Sequence, residues 1–176
     1  MRSFIVALMI LAACGGAGQA VQGDEPPAGA SGTPMKAFTL KDMTGRAFDL
    51  RDHLGKDVIM VSFWATWCAP CKNELERMSK VYEALKGDGF VYLAVSTDGP
   101  TSVAQVRPYI QGLGYTFPVL LDTQTQVMSR HNPRGDMPFY VLVDRAGRIA
   151  DIHQGFTPGD EVDIERRIRA LLAAAP

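Results

Sequence analysis

The stretch Trp67-Cys68-Ala69-Pro70-Cys71 decides the fold of this 176-residue chain. Two thiols separated by two residues can close a small disulfide and reopen it by thiol exchange, so a reversible dithiol is the leading candidate for the chemistry. The apolar run 58–64 before the stretch predicts a strand, and residues 72–86 after it predict a helix. Cys68 would then lie at a helix N-terminus, where the helix dipole lowers the pKa of a thiol. We expect Cys68 to be the attacking nucleophile and Cys71 the resolving thiol.

Two other uses of a Cys-x-x-Cys pair fit this sequence less well. Structural zinc needs four ligands, and no second cysteine pair or His-x-x-x-His follows in the sequence. A static structural disulfide would add little stability, because so small a loop hardly constrains the unfolded chain. Both remain minor alternatives to a redox-active pair, which would need no further cofactor.

The wider stretch 63–71, Phe-Trp-Ala-Thr-Trp-Cys-Ala-Pro-Cys, resembles the active-site segment of the thioredoxin superfamily. A second stretch, 135–144, resembles the cis-proline loop of that family and the strand that follows it. The resemblance implies a cis peptide between Met137 and Pro138, which would set the Met137 backbone beside Cys68. The alternative is an ordinary trans proline that opens a strand.

The same resemblance implies where substrate binds. Trp67, Met137 and Pro138 are the expected substrate contacts, with Trp67 also shielding the dithiol. Many relatives have two threonines after the proline, whereas this chain has Phe139 and Tyr140. We therefore expect a more aromatic substrate face.

Two further features resemble the membrane-tethered TlpA, ResA and CcmG type of thioredoxin-like protein, over about residues 35–174. One is a helix-like insertion at 101–112 between the two motifs, and the other is a hairpin predicted at 38–50 around a Thr-Gly turn. The resemblance implies a protein-disulfide oxidoreductase that mostly reduces its substrates, for example to keep apocytochrome c cysteines free. It also implies a membrane electron donor of the DsbD or CcdA type, because the periplasm is oxidising. A dithiol oxidase is the alternative direction.

The alternation of predicted strands and helices indicates an α/β fold. We expect a thioredoxin-like fold: a mixed sheet with helices on both faces, an N-terminal β-hairpin and a central αβ insertion. After the hairpin, strands are predicted at 58–64, 90–96, 118–121, 139–144 and 148–155, and helices at 72–86, 102–112, 125–130 and 160–174.

Disulfide exchange needs a group that takes the proton of the resolving cysteine. Thioredoxin has a buried aspartate in the strand before its motif, but Ser62 occupies that place here. The tethered subgroup resembles this chain in having an acid just after the next strand, which makes Asp98 the candidate proton acceptor for Cys71. The alternative is that Asp98 only caps a helix beginning near Thr101, because Asp-Gly-Pro-Thr is a good turn and N-cap sequence.

The N-terminal sequence predicts export. Arg2 precedes the apolar run 4–13, which has the length of a signal-peptide core and is short for a membrane span. Leu11-Ala12-Ala13-Cys14 resembles a bacterial lipobox, whose cysteine is lipidated; ordinary cleavage after Ala20 is the alternative. The predicted parts are a signal peptide (1–13), a lipidated Cys14 with a flexible tether (14–34) and one thioredoxin-like domain (35–176). We expect the periplasmic side of a bacterial cell envelope.

Other functions fit less well. The formal net charge of −1 shows no basic excess that would favour nucleic acid. His131 and His153 could join the dithiol as a copper site, but copper chaperones of the Sco type have three residues between their cysteines. A peroxidase of the redoxin group would need proline and threonine where this chain has Val61 and Ala65.

Overall fold

A computed structural model describes residues 32–174 of the chain. Its strands are β1 (Thr39–Asp42), β2 (Ala47–Asp49), β3 (Val58–Trp64), β4 (Phe90–Ser96), β5 (Val119–Leu121), β6 (Phe139–Val143) and β7 (Ile149–Gln154). Its α-helices are α1 (Ala69–Leu85), α2 (Val106–Leu113), α3 (Met128–His131) and α4 (Asp160–Ala173). Short 3₁₀ turns lie at Leu50–Asp52, Lys86–Asp88 and Val103–Gln105. The predicted hairpin, mixed sheet and αβ insertion are confirmed.

The strands form one mixed sheet in the order β2-β1-β5-β4-β3-β6-β7. β3 runs parallel to β4, with Trp64 opposite Ser96, and antiparallel to β6, with Phe63 opposite Phe139. The carboxyl ends of β3 and β4 and the amino end of β6 therefore lie at one edge of the sheet. The loops that carry the dithiol, Asp98 and the proline motif all begin or end at this edge.

The side chains of β3 alternate between two apolar cores, because successive residues of a strand point to opposite faces. Met60 and Trp64 belong to the core under α1, α2 and α4. Val61 and Phe63 belong to the core on the other face, together with Leu50 and Met128 of α3. Every residue of β3 is buried, which explains why all of its residues except Ser62 are apolar.

Three predicted helices begin at other residues than expected. α1 begins at Ala69, earlier than predicted, because a proline is tolerated in the first helical turn and Pro70 does not delay the helix. The helix predicted at 102–112 is a 3₁₀ turn followed by α2, since Pro108 lacks the N–H that a longer α-helix would need. The helix predicted at 125–130 is shorter and begins at Met128, because Asp122 accepts hydrogen bonds from the preceding turn.

The first described residues already pair with the domain. The Gly32 N–H donates to the Ile149 carbonyl (3.1 Å), and the Met35 N–H donates to the Gly147 carbonyl (2.9 Å). Backbone contacts thus begin before the predicted domain start at residue 35. The predicted signal peptide, Cys14 and the tether up to residue 31 lie outside the described residues. Within 32–174, no helix combines the length and the apolar character needed to cross a membrane.

Candidate functional site

The two cysteines form a disulfide at the N-terminus of α1. Their Cα atoms are 5.3 Å apart. Cys68 is the N-cap residue, and its sulfur accepts a hydrogen bond from the Cys71 N–H at 3.3 Å. Its own N–H donates to the Ala65 carbonyl at 3.0 Å, which closes the loop between β3 and α1. Cys68 is 6% exposed and Cys71 1% exposed, so Cys68 is the more accessible residue of the two.

The proline motif lies beside this loop, and the Met137-Pro138 peptide is cis, as predicted. Thr97 joins the two loops. Its N–H donates to the Trp64 carbonyl at 2.8 Å, and its hydroxyl lies 3.2 Å from the same carbonyl and 3.3 Å from the Met137 sulfur. The structure thus brings the proline loop to the end of the strand that leads into the dithiol.

A groove of about 240 Å³ opens next to the dithiol. Trp67, Thr97 and Met137 line it. Residues of the segment 125–135, which includes α3, complete the lining. Trp67 is 67% exposed, which is unusual for so large an apolar side chain, so it is available to a partner without rearrangement.

The expectation of a more aromatic substrate face is wrong, because Phe139 and Tyr140 are buried. Phe139 packs against Phe63, with ring centroids 6.0 Å apart. Tyr140 lies in the other core and donates a hydrogen bond to Asp151 at 3.2 Å. Both residues lie on β6, whose two faces are both covered, so neither side chain reaches the groove.

Asp98 is fully buried, but its hydrogen bonds do not reach the cysteines. Its carboxylate accepts from the Thr66 N–H (2.9 Å), the Thr66 hydroxyl (2.6 Å) and the Ser96 hydroxyl (3.0 Å). The alternative that it caps the following helix is wrong, since the 3₁₀ turn at 103–105 and α2 have no side-chain cap. Asp98 is thus bound to the loop before the dithiol, and no hydrogen bond joins it to Cys71.

Glu74 is an acid beside the dithiol that we did not anticipate from the sequence. It lies on α1, is 1% exposed, and its Oε1 accepts a hydrogen bond from Ser62. Its Oε2 is buried and has no hydrogen-bond partner among the described residues, and neither has the buried Tyr92 hydroxyl. Burial raises the pKa of Glu74 to about 7, and the hydrogen bond from Ser62 acts in the opposite direction.

The sequence contains a signal that points to Glu74. Residues three apart lie on the same face of a helix, and Glu74 follows Cys71 by three. Leu75 and Met78 mark this side of α1 as the buried one. A carboxylate one turn from the resolving cysteine, on a helix face that is otherwise apolar, is costly to bury and therefore a functional candidate.

The histidines are not brought to the dithiol by any described contact. His153 stacks on Tyr140, with ring centroids 5.4 Å apart, and His131 ends α3. Among residues 32–174, no group of three or more His, Cys, Asp or Glu residues is placed to hold a metal ion. Residues 32–174 thus contain no set of ligands for the copper or zinc site considered as an alternative.

Comparison with known proteins agrees with the fold. A family model described as the AhpC/TSA family matches residues 31–152. The thiol-disulfide oxidoreductase ResA of Geobacillus kaustophilus is 34% identical over 171 residues, which is 97% of this chain and 94% of ResA.

Solved structures are also similar. A candidate thiol:disulfide interchange protein DsbE from Chlorobium tepidum superposes with a TM-score of 0.73 and 29% identity, covering 83% of this chain and 100% of that one. The exposed lipoprotein thioredoxin Etrx1 of Streptococcus pneumoniae has a TM-score of 0.65 and 26% identity, covering 77% and 100%.

Proposed function

The chain belongs to the AhpC/TSA family, and on this premise we propose that it is a thiol-disulfide oxidoreductase that reduces protein disulfides through Cys68 and Cys71. The observation that supports the proposal most directly is the Cys68–Cys71 disulfide at the start of α1, beside an open groove and the cis-proline loop. The relatives named ResA are thiol-disulfide oxidoreductases, and DsbE is named as a thiol:disulfide interchange protein. This chain has the dithiol that such chemistry needs.

The first step is attack by Cys68 on a substrate disulfide. The free N–H groups and dipole of α1 favour the thiolate at this N-cap position. The Cys68 sulfur forms a bond to one substrate sulfur, and the substrate S–S bond breaks. The other substrate sulfur leaves as a thiolate and takes up a proton. Trp67, Met137 and Pro138 line or flank the approach, and we assign substrate contact to them.

The second step releases the reduced substrate. Cys71 loses its proton and attacks the Cys68 sulfur, which forms the intramolecular disulfide and breaks the mixed one. The second substrate sulfur leaves and is protonated. The substrate has then gained two electrons and two protons, and the Cys68–Cys71 pair is oxidised as in this structure.

We propose that Glu74, rather than Asp98, accepts the proton of Cys71. Glu74 lies one helical turn from Cys71 and has a buried oxygen without a hydrogen-bond partner among the described residues. Burial raises the pKa of Glu74 to about 7, and a group with such a pKa can take and return a proton at neutral pH. Asp98 is bound to Thr66 and Ser96 instead.

Insulin reduction tests the proposed function. The purified protein, recharged by dithiothreitol, is expected to speed the precipitation of insulin chains well above the rate with dithiothreitol alone. No acceleration, together with tight stoichiometric binding of copper(I), would contradict the proposal and favour a copper chaperone or a redox-inert assembly factor. If insulin is reduced, a role in cytochrome c maturation can be tested by reduction of an apocytochrome peptide whose two cysteines are oxidised.

We further propose that the protein acts at the periplasmic side of the cell envelope and is held to a membrane through a lipid on Cys14. The lipobox-like 11–14 and the signal-peptide pattern before it support this location. One structural relative is named as an exposed lipoprotein. In that oxidising compartment a reductase needs a membrane donor of the DsbD or CcdA type to return electrons to Cys68 and Cys71. The absence of a basic excess argues against a nucleic-acid partner.

Cys14→Ser tests the anchor. In a bacterial host, the unaltered protein is expected in the membrane fraction, labelled by radioactive palmitate. The variant is expected to lose all of the label and at least most of its resistance to extraction by salt, because the acceptor thiol is gone. Cys71→Ser is the matched control, since it also removes one thiol and should keep the label. Equal labelling of the Cys14→Ser variant would contradict the lipoprotein proposal.

A further inference from the structure

Asp98 lies in a buried position that none of the proposed exchange steps uses. It follows the carboxyl end of β4 and is completely inaccessible to solvent. Its carboxylate accepts three hydrogen bonds of 2.6 to 3.0 Å, two of them from Thr66. An ionised carboxylate only accepts hydrogen bonds, and all of these contacts are donated to it. Burying such a group is costly unless it is paired in this way.

The loop that Asp98 holds is the one that presents the nucleophile. Thr66 lies two residues before Cys68, and the Cys68 N–H is bonded to the Ala65 carbonyl just before Thr66. The preceding residue, Thr97, which directly follows β4, bonds the Trp64 carbonyl and contacts the Met137 sulfur. Two adjacent residues after β4 therefore fix the dithiol loop and the cis-proline loop relative to each other.

We propose that Asp98 is a positioning residue of the dithiol, which fixes Thr66 and whose buried charge keeps the Cys68–Cys71 pair reducing. This inference rests on the oxidoreductase function proposed above. A negative charge bound to the loop that carries Cys68 disfavours the Cys68 thiolate, and so disfavours the reduced form of the pair. A pair whose reduced form is less stable is a stronger reductant. The substrate contacts and the proton acceptor are other residues.

Other charged and titratable groups around the dithiol are left unchanged in the test. Lys72 follows Cys71 and lies over the Tyr109 ring, 4.9 Å from its centroid. Glu74 lies one turn further along α1, with Tyr92 of β4 near its carboxyl group. A change in the behaviour of Cys68 in an Asp98 variant is therefore assigned to Asp98 and the loop it binds.

The chain offers a matched control in Asp122. It is 3% exposed, follows the adjacent parallel strand β5, and accepts three backbone hydrogen bonds of 2.9 Å from residues 126–128. The turn it holds leads into α3 and is separate in sequence from the loop that carries the dithiol. Asp122→Asn thus removes a buried carboxylate whose three side-chain hydrogen bonds come from residues 126–128 and not from the loop before Cys68.

The test compares Asp98→Asn with Asp122→Asn in the full protein. For Asp98→Asn, the equilibrium constant with glutathione is expected to shift about tenfold towards the reduced protein, which is about 30 mV towards a more oxidising pair. The Cys68 thiolate, followed by its ultraviolet absorbance, is expected to form at lower pH. Asp122→Asn should leave both quantities unchanged. Equal shifts in the two variants, or no shift in Asp98→Asn, would overturn the proposal.

A second variant tests the positioning role of Asp98 if Asp98→Asn does not fold. Thr66→Val removes one hydrogen bond to Asp98 and keeps its charge, so it is expected to lower kcat/KM for insulin several-fold without changing the potential. A kcat/KM equal to that of the unaltered protein would overturn the positioning role. Failure of the proposed function would be distinct, because the unaltered protein itself would then not reduce insulin.

Discussion

A Cys71→Ser variant is expected to remain covalently joined to its substrate, whereas a Cys68→Ser variant should form no mixed disulfide. The reason is the division of roles between the two sulfurs. Cys68 is the more exposed residue, at the N-cap of α1, and Cys71 is enclosed one turn further along. Only Cys71 can displace the substrate from Cys68, so its removal stops the cycle after the first step. Both variants should lose disulfide reductase activity by on the order of 10³-fold or more, the scale seen when an enzyme loses its nucleophile.

Non-reducing electrophoresis with a disulfide-bonded test substrate measures this difference. The Cys71→Ser protein should give a band of higher mass that disappears on addition of dithiothreitol. A Cys68→Ser/Cys71→Ser double variant is the control for adventitious cross-links. Trapping by Cys68→Ser, with none by Cys71→Ser, would reverse the assignment of nucleophile and resolving thiol.

A Glu74→Gln variant is expected to be more stable than the unaltered protein above neutral pH and to exchange disulfides more slowly. Burial raises the pKa of Glu74 to about 7 in the folded protein, above its value in the unfolded chain. The folded state therefore binds the proton more tightly, and the stability of the unaltered protein falls as the pH rises from about 4.5 to 7. Glutamine has no proton to lose. The stability gain of the variant should be absent near pH 4 and reach about 3 kcal/mol at pH 8.

Urea unfolding of the oxidised proteins at several pH values measures the stability effect. Glu76→Gln is the matched control, because Glu76 lies on the same helix with its side chain 65% exposed. That variant should unfold like the unaltered protein at every pH. A gain for Glu74→Gln that is the same at pH 4 and pH 8 would contradict the buried, titrating carboxyl group.

Stopped-flow measurement of the resolving step tests the catalytic role of Glu74. The rate should fall about 10²-fold in Glu74→Gln, in the range that general acid–base catalysis contributes, and should lose any dependence on a group titrating near pH 7. Glu76→Gln is again the control. An unchanged pH profile in Glu74→Gln would show that a group other than Glu74 accepts the proton of Cys71.

The central part of the fold could be predicted because local patterns there agree with the tertiary structure. The strands at 58–64 and 90–96 have the predicted bounds, since each is a buried apolar run between turn-forming residues. The dithiol and the cis proline were likewise visible, because each is a compact motif of neighbouring residues. Helices beside prolines, such as the one predicted at 102–112, were less predictable because a missing N–H shifts where a helix begins.

The parts of the site that sequence reasoning missed depend on contacts between distant residues. Asp98 was expected to accept the proton of Cys71. Pairing of β3 with β4 instead brings it to Thr66, which lies 32 positions away in the chain. Tyr140 follows a proline of the site, yet β6 carries it into the core. Glu74 is marked in the sequence by its position three residues after Cys71, on the face of α1 that is otherwise apolar.

The reduction potential of the Cys68–Cys71 pair tests the reductase account most directly. It can be measured by equilibrating the protein with glutathione or dithiothreitol buffers of defined ratio and trapping the free thiols. We expect a value near or below about −250 mV, towards the roughly −270 mV of thioredoxin. A value near about −120 mV, as in DsbA, would contradict the account and make the protein an oxidant of its substrates.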